Sequence, residues 1–354
     1  MRDKSKLFLI SNMYPSKLHV RYGIFVQNFE KAVETHYNIE RVVLTKKDSI
    51  LTKLLGYVFL YIKIFSLILK AKSEDILYVH FPLQIAPALW FVNFFKKRLI
   101  LNFHGSDLIF ENRFTIFLSF FLIPLIRKKH IVVPSEYYRK KIVKEYGVRP
   151  YKIFVYPSGG LNLNVFYPMS VKKNKSFVLG FVSNFITSKG WKEFLVAVDR
   201  IIKKRIINNI EVVLIGDGPD KKKIDQFLSK SEMNYKLMSG ISQSELAVKF
   251  NEFDLFIFPT YRESLGLVGL EAMACGTPVI AGKVGGPMGY IKSGFNSFLF
   301  KKKDSDDLVE KILEYYFLSF QEKEIIKYNA IETARQYESN KVNAELLFFL
   351  KSLN

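Results

Sequence analysis

Residues 259–278 read PTYRESLGLVGLEAMACGTP and follow an apolar run, Leu255–Phe258, that is typical of a buried strand. Good helix formers begin at Gly266 and stop at Gly276, and Pro278 lies just beyond them, as expected of a helix C-terminus. A strand that turns through glycine into a helix directs free backbone N–H groups and the positive end of the helix dipole toward one point. The segment therefore predicts an anion-binding site where the helix begins.

Two glutamates lie eight residues apart in this segment. Glu263 precedes the predicted helix, and Glu271 lies five residues after Gly266. Each carboxylate can accept hydrogen bonds from hydroxyl groups of the molecule that carries the anion. Phosphate together with hydroxyl groups suggests a nucleotide-sugar as the ligand.

Short apolar runs alternate with longer helical segments along the chain, which predicts an α/β fold with parallel sheets covered by helices on both faces. Two such series predict two doubly wound domains, whose ligands bind beyond the C-terminal strand ends, in one shared cleft if the sheets face each other. The predicted strands are Leu7–Ser11, Arg41–Thr45, Ile76–Phe81, Leu99–Phe103, His130–Pro134, Ile153–Tyr156, Phe177–Val182, Glu211–Ile215, Lys236–Met238, Leu255–Pro259 and Val279–Ala281.

The alternation is interrupted at residues 167–174, where Pro168 and a run of lysine and asparagine occur. We therefore expect a first domain over residues 1–168 and a second domain over residues 169–337. A C-terminal helix, at about residues 338–354, can pack back on the first domain.

The composition fits an intracellular globular protein. The chain has 354 residues, and 49% of them are hydrophobic, so two domains can each bury a core. The single cysteine, Cys275, excludes an internal disulfide and is consistent with a reducing compartment. The N-terminus does not read as a signal peptide, because charged residues interrupt it and Leu7–Ile10 is too short an apolar core.

No run is expected to reach the length of a membrane span. The two longest apolar segments are Leu54–Leu69, which Lys63 interrupts, and Ile116–Ile126, which is short and contains Pro124. Both segments are flanked by basic residues.

The net charge of +20 is unevenly distributed. Residues 1–170 contain 26 Lys and Arg against 11 Asp and Glu, whereas residues 171–354 contain 27 against 22. Basic residues beside apolar helix faces suit an anionic membrane surface, which we expect as a partner. The alternative is a lysine-rich chain with two buried core helices. Nucleic acid is not expected as a partner, because the chain has no recognisable nucleic-acid-binding module.

Polar residues follow two predicted strands of the first half. Residues 11–15 read SNMYP, include Tyr14 and lead into a loop that ends at Gly23, and residues 102–107 read NFHGSD and include His104 and Asp107. A histidine and an aspartate beside a glycine at a strand end are suited to hydroxyl recognition. Gly23 either lets a substrate approach the backbone or serves a turn.

Further candidates follow predicted strands of the second half. Lys189 lies at the start of a predicted helix, where its ammonium group and the helix dipole would act together on a phosphate. Gly216 opens the sequence Gly-Asp-Gly-Pro, a strand-to-helix turn with proline at the first helical position. No metal site is expected, because the five histidines show no ligand spacing with Cys275. The chain also has no P-loop and no Gly-x-Gly-x-x-Gly after its first strand.

In their order and spacing these residues resemble the retaining glycosyltransferases of family 4, which have the GT-B fold of two facing Rossmann-like domains with a cleft between them. The resemblance covers nearly the whole chain, from residues 14–15 and Gly23 to GGP at 285–287 and Asn296. Its most specific part is ESLG at 263–266 with Glu271, and it is supported by HGSD at 104–107, PSGG at 157–160, KG at 189–190 and GDG at 216–218.

The resemblance implies roles for the matching residues. The catalytic positions are His104 beside the donor sugar, Lys189 at the leaving diphosphate and Glu263 at the hydroxyls of the transferred sugar. Glu271 is implied to bind the ribose of the donor. The remaining donor-binding positions are Asn184, Gly216, Met238, Gly240, Ser264, Leu265, Gly266, Leu267 and Val268, and the acceptor-binding positions are Tyr14, Gly23 and Asp107.

The chain departs from the family pattern at Asn184. Many members carry an arginine there, as a second group that holds the diphosphate. A neutral amide cannot replace a guanidinium against the charge of a leaving pyrophosphate. Arg262 is close in sequence, but it precedes Glu263.

The resemblance implies a metal-independent, retaining hexosyltransferase that uses a nucleotide-diphosphate sugar. Family base rates favour a UDP-sugar, and no cofactor is expected. The basic first half favours a glycan or lipid-linked acceptor in surface polysaccharide synthesis, by a cytoplasmic enzyme peripheral to the inner face of the plasma membrane. The alternatives are a soluble transferase acting on a protein or small molecule, a non-catalytic GT-B partner subunit, and an epimerase or phosphorylase of related fold.

Overall fold

The computed structural model describes residues 5–20, 22–172 and 175–353. It forms two compact units, one made of Met1–Gly159 with Val342–Asn354 and the other of Gly160–Lys341. The first unit contains β1 (Lys6–Tyr14), α1 (Ile24–Val33), β2 (Asn38–Thr45), α2 (Ile50–Lys70), β3 (Ile76–His80), α3 (Ala86–Leu89), β4 (Arg98–Asn102), α4 (Arg113–Lys128), β5 (His130–Val133), α5 (Glu136–Tyr146) and β6 (Ile153–Val155).

The second unit has the same alternation of strand and helix. It contains β7 (Phe177–Val182), α6 (Trp191–Lys203), β8 (Ile210–Ile215), α7 (Lys221–Leu228), β9 (Asn234–Met238), α8 (Gln243–Glu252), β10 (Leu255–Phe258), α9 (Leu267–Ala274), β11 (Val279–Gly282), β12 (Phe298–Phe300), α10 (Ser305–Tyr316) and α11 (Phe320–Arg335). The last helix, α12 (Ser339–Ser352), follows it.

Each unit is built on a six-stranded sheet of parallel strands, as predicted from the alternation. The order is β2-β1-β3-β4-β5-β6 in the first unit and β12-β11-β10-β7-β8-β9 in the second. Helices cover both faces of these sheets, so central strands are apolar throughout; all five residues of β3 and all six of β8 are buried. Strand order reverses between β1 and β3 and between β7 and β10, the positions where doubly wound sheets open a crevice for ligands.

The eleven predicted strands are all present with small changes at their ends. The described residues contain one further strand, β12, which the sequence did not reveal because its three residues, between Ser297 and Lys301, are too few to show a pattern.

The division between the units differs from the boundary expected after residue 168. The second unit begins at Gly160, because Leu161 donates to the carbonyl of Tyr337 at 2.7 Å and accepts from the amide of Ser339 at 2.8 Å. Phe166 also lies in the core of the second unit. Residues 173 and 174, at the end of the expected boundary region, lie outside the described residues.

The chain returns to the first unit through α12. Three of its residues, Val342, Leu346 and Leu350, are buried in the same apolar cluster as Leu9 of β1. Tyr156, just after β6, donates a hydrogen bond of 2.9 Å to Asn343. The C-terminal helix therefore belongs to the first unit and covers the face of its sheet that α1 also covers.

The prediction that no run reaches the length of a membrane span is wrong for α2. This helix has 21 residues and is long and apolar enough to cross a membrane by length and composition alone. It begins earlier than expected, at the cap Ser49, whose hydroxyl accepts from the amide of Thr52 at 3.1 Å. Lys63 does not interrupt it, because a lysine side chain can lie along an apolar surface and keep its charge in water.

Candidate active site

The strongest candidate site lies at the strand-order reversal of the second unit. Lys189 follows β7, Glu263 follows β10, and these strands are neighbours in the sheet. The Lys189 ammonium donates to the Glu263 carboxylate at 2.9 Å, with side chains 25% and 18% exposed. The sheet topology thus joins two residues that are 74 positions apart, at the carboxyl edge where this fold binds ligands.

The turn that carries Lys189 is fixed by its neighbours. Lys189 ends a short 3-10 turn, and Gly190 then takes a left-handed conformation, with φ of 74°, before α6 begins. A Cβ on Gly190 would lie 2.1 Å from the carbonyl oxygen of Pro259, so only glycine fits here. The amide of Tyr261 donates to the carbonyl of Ser188 at 2.9 Å. The Lys189 turn and the Glu263 loop are therefore packed backbone to backbone.

Asp220, which the sequence analysis missed, holds this turn from the other side. Its carboxylate accepts hydrogen bonds from Lys223 at 2.7 Å, from the Thr187 hydroxyl at 2.7 Å and from the Trp191 indole at 3.1 Å. Those three donors lower the pKa of Asp220 to about 2, and the hydrogen bond from Lys223 has the largest effect. Asp220 therefore stays ionised and ties the loop after β8 to the residues on either side of Lys189.

The Glu263 loop leads into α9 as predicted. Gly266 is the N-cap of the helix, and its carbonyl accepts from the Tyr290 hydroxyl at 3.1 Å. The amide of Ser264 donates to the Glu263 carboxylate at 3.2 Å, and the amide of Gly286 donates to the Glu263 carbonyl at 3.0 Å. Leu265 is buried, whereas Leu267 and Val268, in the first turn of α9, are partly buried. The loop is therefore fixed at both its backbone and its side chains.

Glu271 lies in the middle of α9, one turn from its start. Burial raises the pKa of its carboxyl to about 7. A carboxyl group with this pKa changes its charge in the neutral range. Hydrogen bonds from the hydroxyl groups of a ligand would stabilise its ionised form.

The remaining predicted donor positions lie at the ends of β7, β8 and β9. Gly216 follows β8, and its amide donates to the carbonyl of Met238, the last residue of β9, at 2.9 Å. Gly240 lies two residues beyond Met238 and is exposed. Asn184 follows β7 and is exposed as well. The sheet thus brings all the predicted donor positions to one edge of the second unit.

His104 of the first unit is held by a second histidine, His80, at the end of β3. Nδ1 of His80 lies 3.0 Å from Nε2 of His104 and 3.3 Å from the amide nitrogen of Asn102. We assign the acceptor role to Nδ1 of His80, because the neighbouring amide nitrogen of Asn102 can only donate. Nε2 of His104 is then the donor, which leaves Nδ1 of His104 as a hydrogen-bond acceptor.

Two aromatic side chains also contact the ring of His104. Its ring stacks on Phe81 with centroids 4.9 Å apart and contacts Phe25 at 4.2 Å. Burial lowers the pKa of His104 to about 3, so the ring is neutral at physiological pH. His80 is also buried. Its burial lowers the pKa of its ring, and the neighbouring His104 lowers this pKa further.

The three predicted acceptor positions make their contacts with other residues of the first unit. The buried phenol of Tyr14 donates to Glu30. Asp107 is 1% exposed and accepts from the amides of His104 and Gly105, each at 2.9 Å. Gly23 is the N-cap of α1, with φ of 74°, and a Cβ there would lie 2.7 Å from the Met13 backbone. That contact favours the turn interpretation of Gly23.

Within the described residues, no group of three or more His, Cys, Asp or Glu could hold a metal ion.

Two family models match this chain. The model described as Glycosyltransferase Family 4 matches residues 17–159, and the model described as Glycosyl transferases group 1 matches residues 168–333. Together they cover both units, including the His104, Lys189 and Glu263 segments. The chain belongs to glycosyltransferase family 4.

Curated relatives of this glycosyltransferase carry related descriptions. The uncharacterized glycosyltransferase MJ1178 of Methanocaldococcus jannaschii is 29% identical over 267 residues, 73% of this chain and 70% of the relative. The capsular polysaccharide biosynthesis glycosyltransferase CapM of Staphylococcus aureus is 28% identical over 197 residues, 51% of this chain and 50% of the relative. An N,N'-diacetylbacillosaminyl-diphospho-undecaprenol alpha-1,3-N-acetylgalactosaminyltransferase of Campylobacter jejuni is 25% identical and is aligned over 54% of its length. The alignments thus span about half the length of the last two relatives.

Solved structures of the GT-B type share the fold. The sucrose-phosphate synthase of Thermosynechococcus elongatus superposes with a TM-score of 0.76 at 15% identity, covering 99% of both chains. Anabaena HepE in complex with UDP superposes with a TM-score of 0.72 at 18% identity, covering 98% of this chain and 100% of HepE. The family 4 glycosyltransferase described here therefore has the GT-B fold, in agreement with the prediction from its sequence.

Proposed function

We propose that the chain transfers a hexose from a nucleotide-diphosphate sugar, a UDP-sugar, to a glycan or lipid-linked acceptor with retention of anomeric configuration. The observation that carries this proposal is the Lys189–Glu263 ion pair at the strand-order reversal, beside the N-terminus of α9. A cation, a helix N-terminus and two carboxylates provide complementary groups for a diphosphate and for sugar hydroxyls.

The ion pair suggests how the donor is received. Without ligand, Lys189 and Glu263 neutralise each other. A bound diphosphate competes for the ammonium, and Glu263 is then free to accept hydrogen bonds from hydroxyls of the transferred sugar. Glu271 is proposed to accept from the ribose hydroxyls, and residues 264–268 to contact the sugar and diphosphate. Gly216, Met238 and Gly240 are proposed to contact the nucleoside.

Charge develops on the leaving diphosphate as the bond from the sugar to its oxygen breaks. Lys189 and the amide groups at the start of α9 are proposed to stabilise this charge, and the chemistry then requires no metal. Asn184 cannot supply the second cation that many family members have, so more of the leaving-group charge falls on Lys189. The acceptor hydroxyl attacks from the side on which the diphosphate departs and passes its proton to the departing diphosphate oxygen, so the configuration is retained.

His104 is proposed to act at the transferred sugar through Nδ1, as a neutral hydrogen-bond acceptor. Its orientation is proposed to depend on His80, whose Nδ1 is assigned as the acceptor from Nε2 of His104. Tyr14, Gly23 and Asp107 are proposed to contribute to the acceptor side by fixing its loops, because the side chains of Tyr14 and Asp107 are bonded within the unit.

Replacing His80 with phenylalanine should lower kcat about tenfold or more, with little change in the KM for the donor, because a misoriented catalytic group costs at least this much. His80→Asn should keep most of the activity, since its side-chain oxygen can accept in place of Nδ1. Steady-state kinetics of the two variants checks this. Equal losses in both variants, or losses confined to KM, would contradict a positioning role for His80.

The acceptor is proposed to be presented at an anionic membrane surface, in the cytoplasm. Support comes from the basic first half of the chain and from two relatives described as acting in capsular polysaccharide biosynthesis and on a diphospho-undecaprenol sugar.

Incubation with UDP-, GDP- and ADP-sugars, with and without a bacterial lipid extract as acceptor, tests the proposed function. The expected result is a UDP-sugar-dependent glycolipid whose new linkage has the anomeric configuration of the donor. An isomerised nucleotide-sugar formed without acceptor would indicate an epimerase instead. Inversion of configuration would contradict the retaining mechanism.

A further inference from the structure

One face of the first unit is apolar and exposed. Three segments form it: α2, residues 90–95 (a 3-10 turn and the residue that follows it), and α4. We call this surface the apolar face. The three segments bear sixteen large exposed hydrophobic side chains, about half of those in the described residues: Ile50, Leu51, Leu54, Leu55, Val58, Phe59, Ile62, Phe65, Leu69, Phe91, Phe94, Phe95, Phe114, Ile116, Phe117 and Phe120. A soluble monomer rarely exposes a contiguous apolar patch of this kind.

The three segments lie side by side on the same face of the sheet. They share one core cluster, and the rings of Phe65 in α2 and Phe91 in the 3-10 turn meet edge to face at 5.4 Å. The 3-10 turn also contacts α4. Their outward side chains therefore form one surface.

The buried side of α2 shows that this helix does not cross a membrane in the folded unit. Leu60, Ile64, Leu67 and Ile68 are at most 6% exposed and pack in the core with β1 and β2. The exposed side chains recur every three or four residues on the opposite side of the helix. Such an amphipathic arrangement suits a helix that lies in the plane of a membrane interface.

The charges of the apolar face identify its partner. Its three segments, α2, residues 90–95 and α4, contain six Lys and Arg and no Asp or Glu. Lys53 and Lys63 are exposed among the apolar side chains of α2. Anionic lipid headgroups attract such residues while acyl chains receive the apolar ones. A two-fold dimer through this face would instead place like charges opposite one another.

We propose that the apolar face inserts into the interface of an anionic lipid bilayer, with α2 lying in the membrane plane. The proposal rests on the proposed function, because it names the surface that brings the enzyme to a membrane-borne acceptor. Insertion at this face holds the carboxyl edge of the first sheet, with His104, at a fixed distance from the headgroups.

Flotation of the full chain with vesicles of phosphatidylcholine, alone or with about 30% of the anionic lipid phosphatidylglycerol, tests this face. The wild type should bind the anionic vesicles, bind them more weakly in 1 M salt, where the Debye length is about 3 Å, and be released by alkaline carbonate. A triple variant, Leu54→Ser with Phe59→Ser and Ile62→Ser, should bind at least about tenfold more weakly. The matched control, Phe317→Ser with Phe320→Ser and Ile325→Ser, alters three comparably exposed side chains of the second unit and should bind like wild type.

A fluorophore on Phe59→Cys should shift to the blue on anionic vesicles, whereas one on Phe320→Cys should not; Cys275 is buried and remains unlabelled. Unchanged binding of the first triple variant would overturn the proposal. Resistance of the bound wild type to carbonate extraction would also overturn it. A wild-type dimer that the first triple variant converts to a monomer would do the same. Donor turnover without vesicle binding would overturn only the membrane face, and vesicle binding without donor turnover would contradict only the proposed function.

Discussion

Replacing Lys189 with methionine is expected to lower kcat about 10²–10³-fold, the usual cost of removing one group that stabilises charge developing in the transition state. The loss should fall at the upper end of this range, because Asn184 cannot supply a second positive charge to the leaving diphosphate. Single-turnover rates at saturating donor measure the effect.

The same substitution is expected to lower the free energy of unfolding by about 1–3 kcal/mol, because it leaves the partly buried carboxylate of Glu263 unpaired. Adding Glu263→Gln removes that charge and should restore most of the stability. It should not restore activity, since both donor contacts are then missing. The double variant thus separates folding from catalysis, and a double variant as active as wild type would exclude the ion pair from the reaction.

Replacing Glu271 with glutamine should have opposite effects on stability and donor binding. The native pKa of about 7 lies above the ordinary value of 4.5, so the folded protein binds the proton more tightly than the unfolded chain. This contribution to stability is fully present below pH 4.5 and is lost as the pH rises to about 7. Glu271→Gln removes the buried charge and should be about 3 kcal/mol more stable than wild type at pH 8, with little difference at pH 4.5.

Donor affinity should follow the ionised form of Glu271, because only the carboxylate can accept hydrogen bonds from both ribose hydroxyls. Wild-type affinity for UDP is therefore expected to rise roughly tenfold between pH 6 and pH 8, and Glu271→Gln should bind weakly at both values. Calorimetry at both pH values, in buffers of different ionisation enthalpy, should also detect proton release on binding near neutral pH. The exposed Glu232→Gln is the control. A pH-independent affinity in wild type would contradict the role assigned to Glu271.

Much of the fold could be predicted because parallel sheets covered on both faces leave a clear sequence signal. Apolar strands such as β3 and β8 stand out against the amphipathic helices between them. The helix α2 was misjudged because a lysine within an apolar run was taken as an interruption, although one face of that helix is exposed and accommodates it. The unit boundary was misplaced because the pairing of Leu161 with Tyr337 joins residues far apart in sequence.

The candidate site was predictable in its parts but not in its contacts. Lys189, Glu263 and Glu271 stand in recognisable motifs at strand ends, whereas the ion pair depends on β7 and β10 being neighbours in the sheet. Asp220 and His80 were missed, since an aspartate after a proline and a lone histidine ending a strand are common in any sequence. Their importance arises only from partners brought together by folding, Thr187 and Trp191 for Asp220 and His104 for His80.

The release of UDP from a UDP-sugar by wild type and by the Lys189→Met, Glu263→Gln double variant tests the central claim most directly. Both proteins should first be shown to unfold at similar denaturant concentrations. The account predicts that wild type releases UDP with a lipid acceptor present and that the double variant releases it at least about 10²-fold more slowly. Equal rates for the two proteins would contradict the assignment of Lys189 and Glu263 to the donor site.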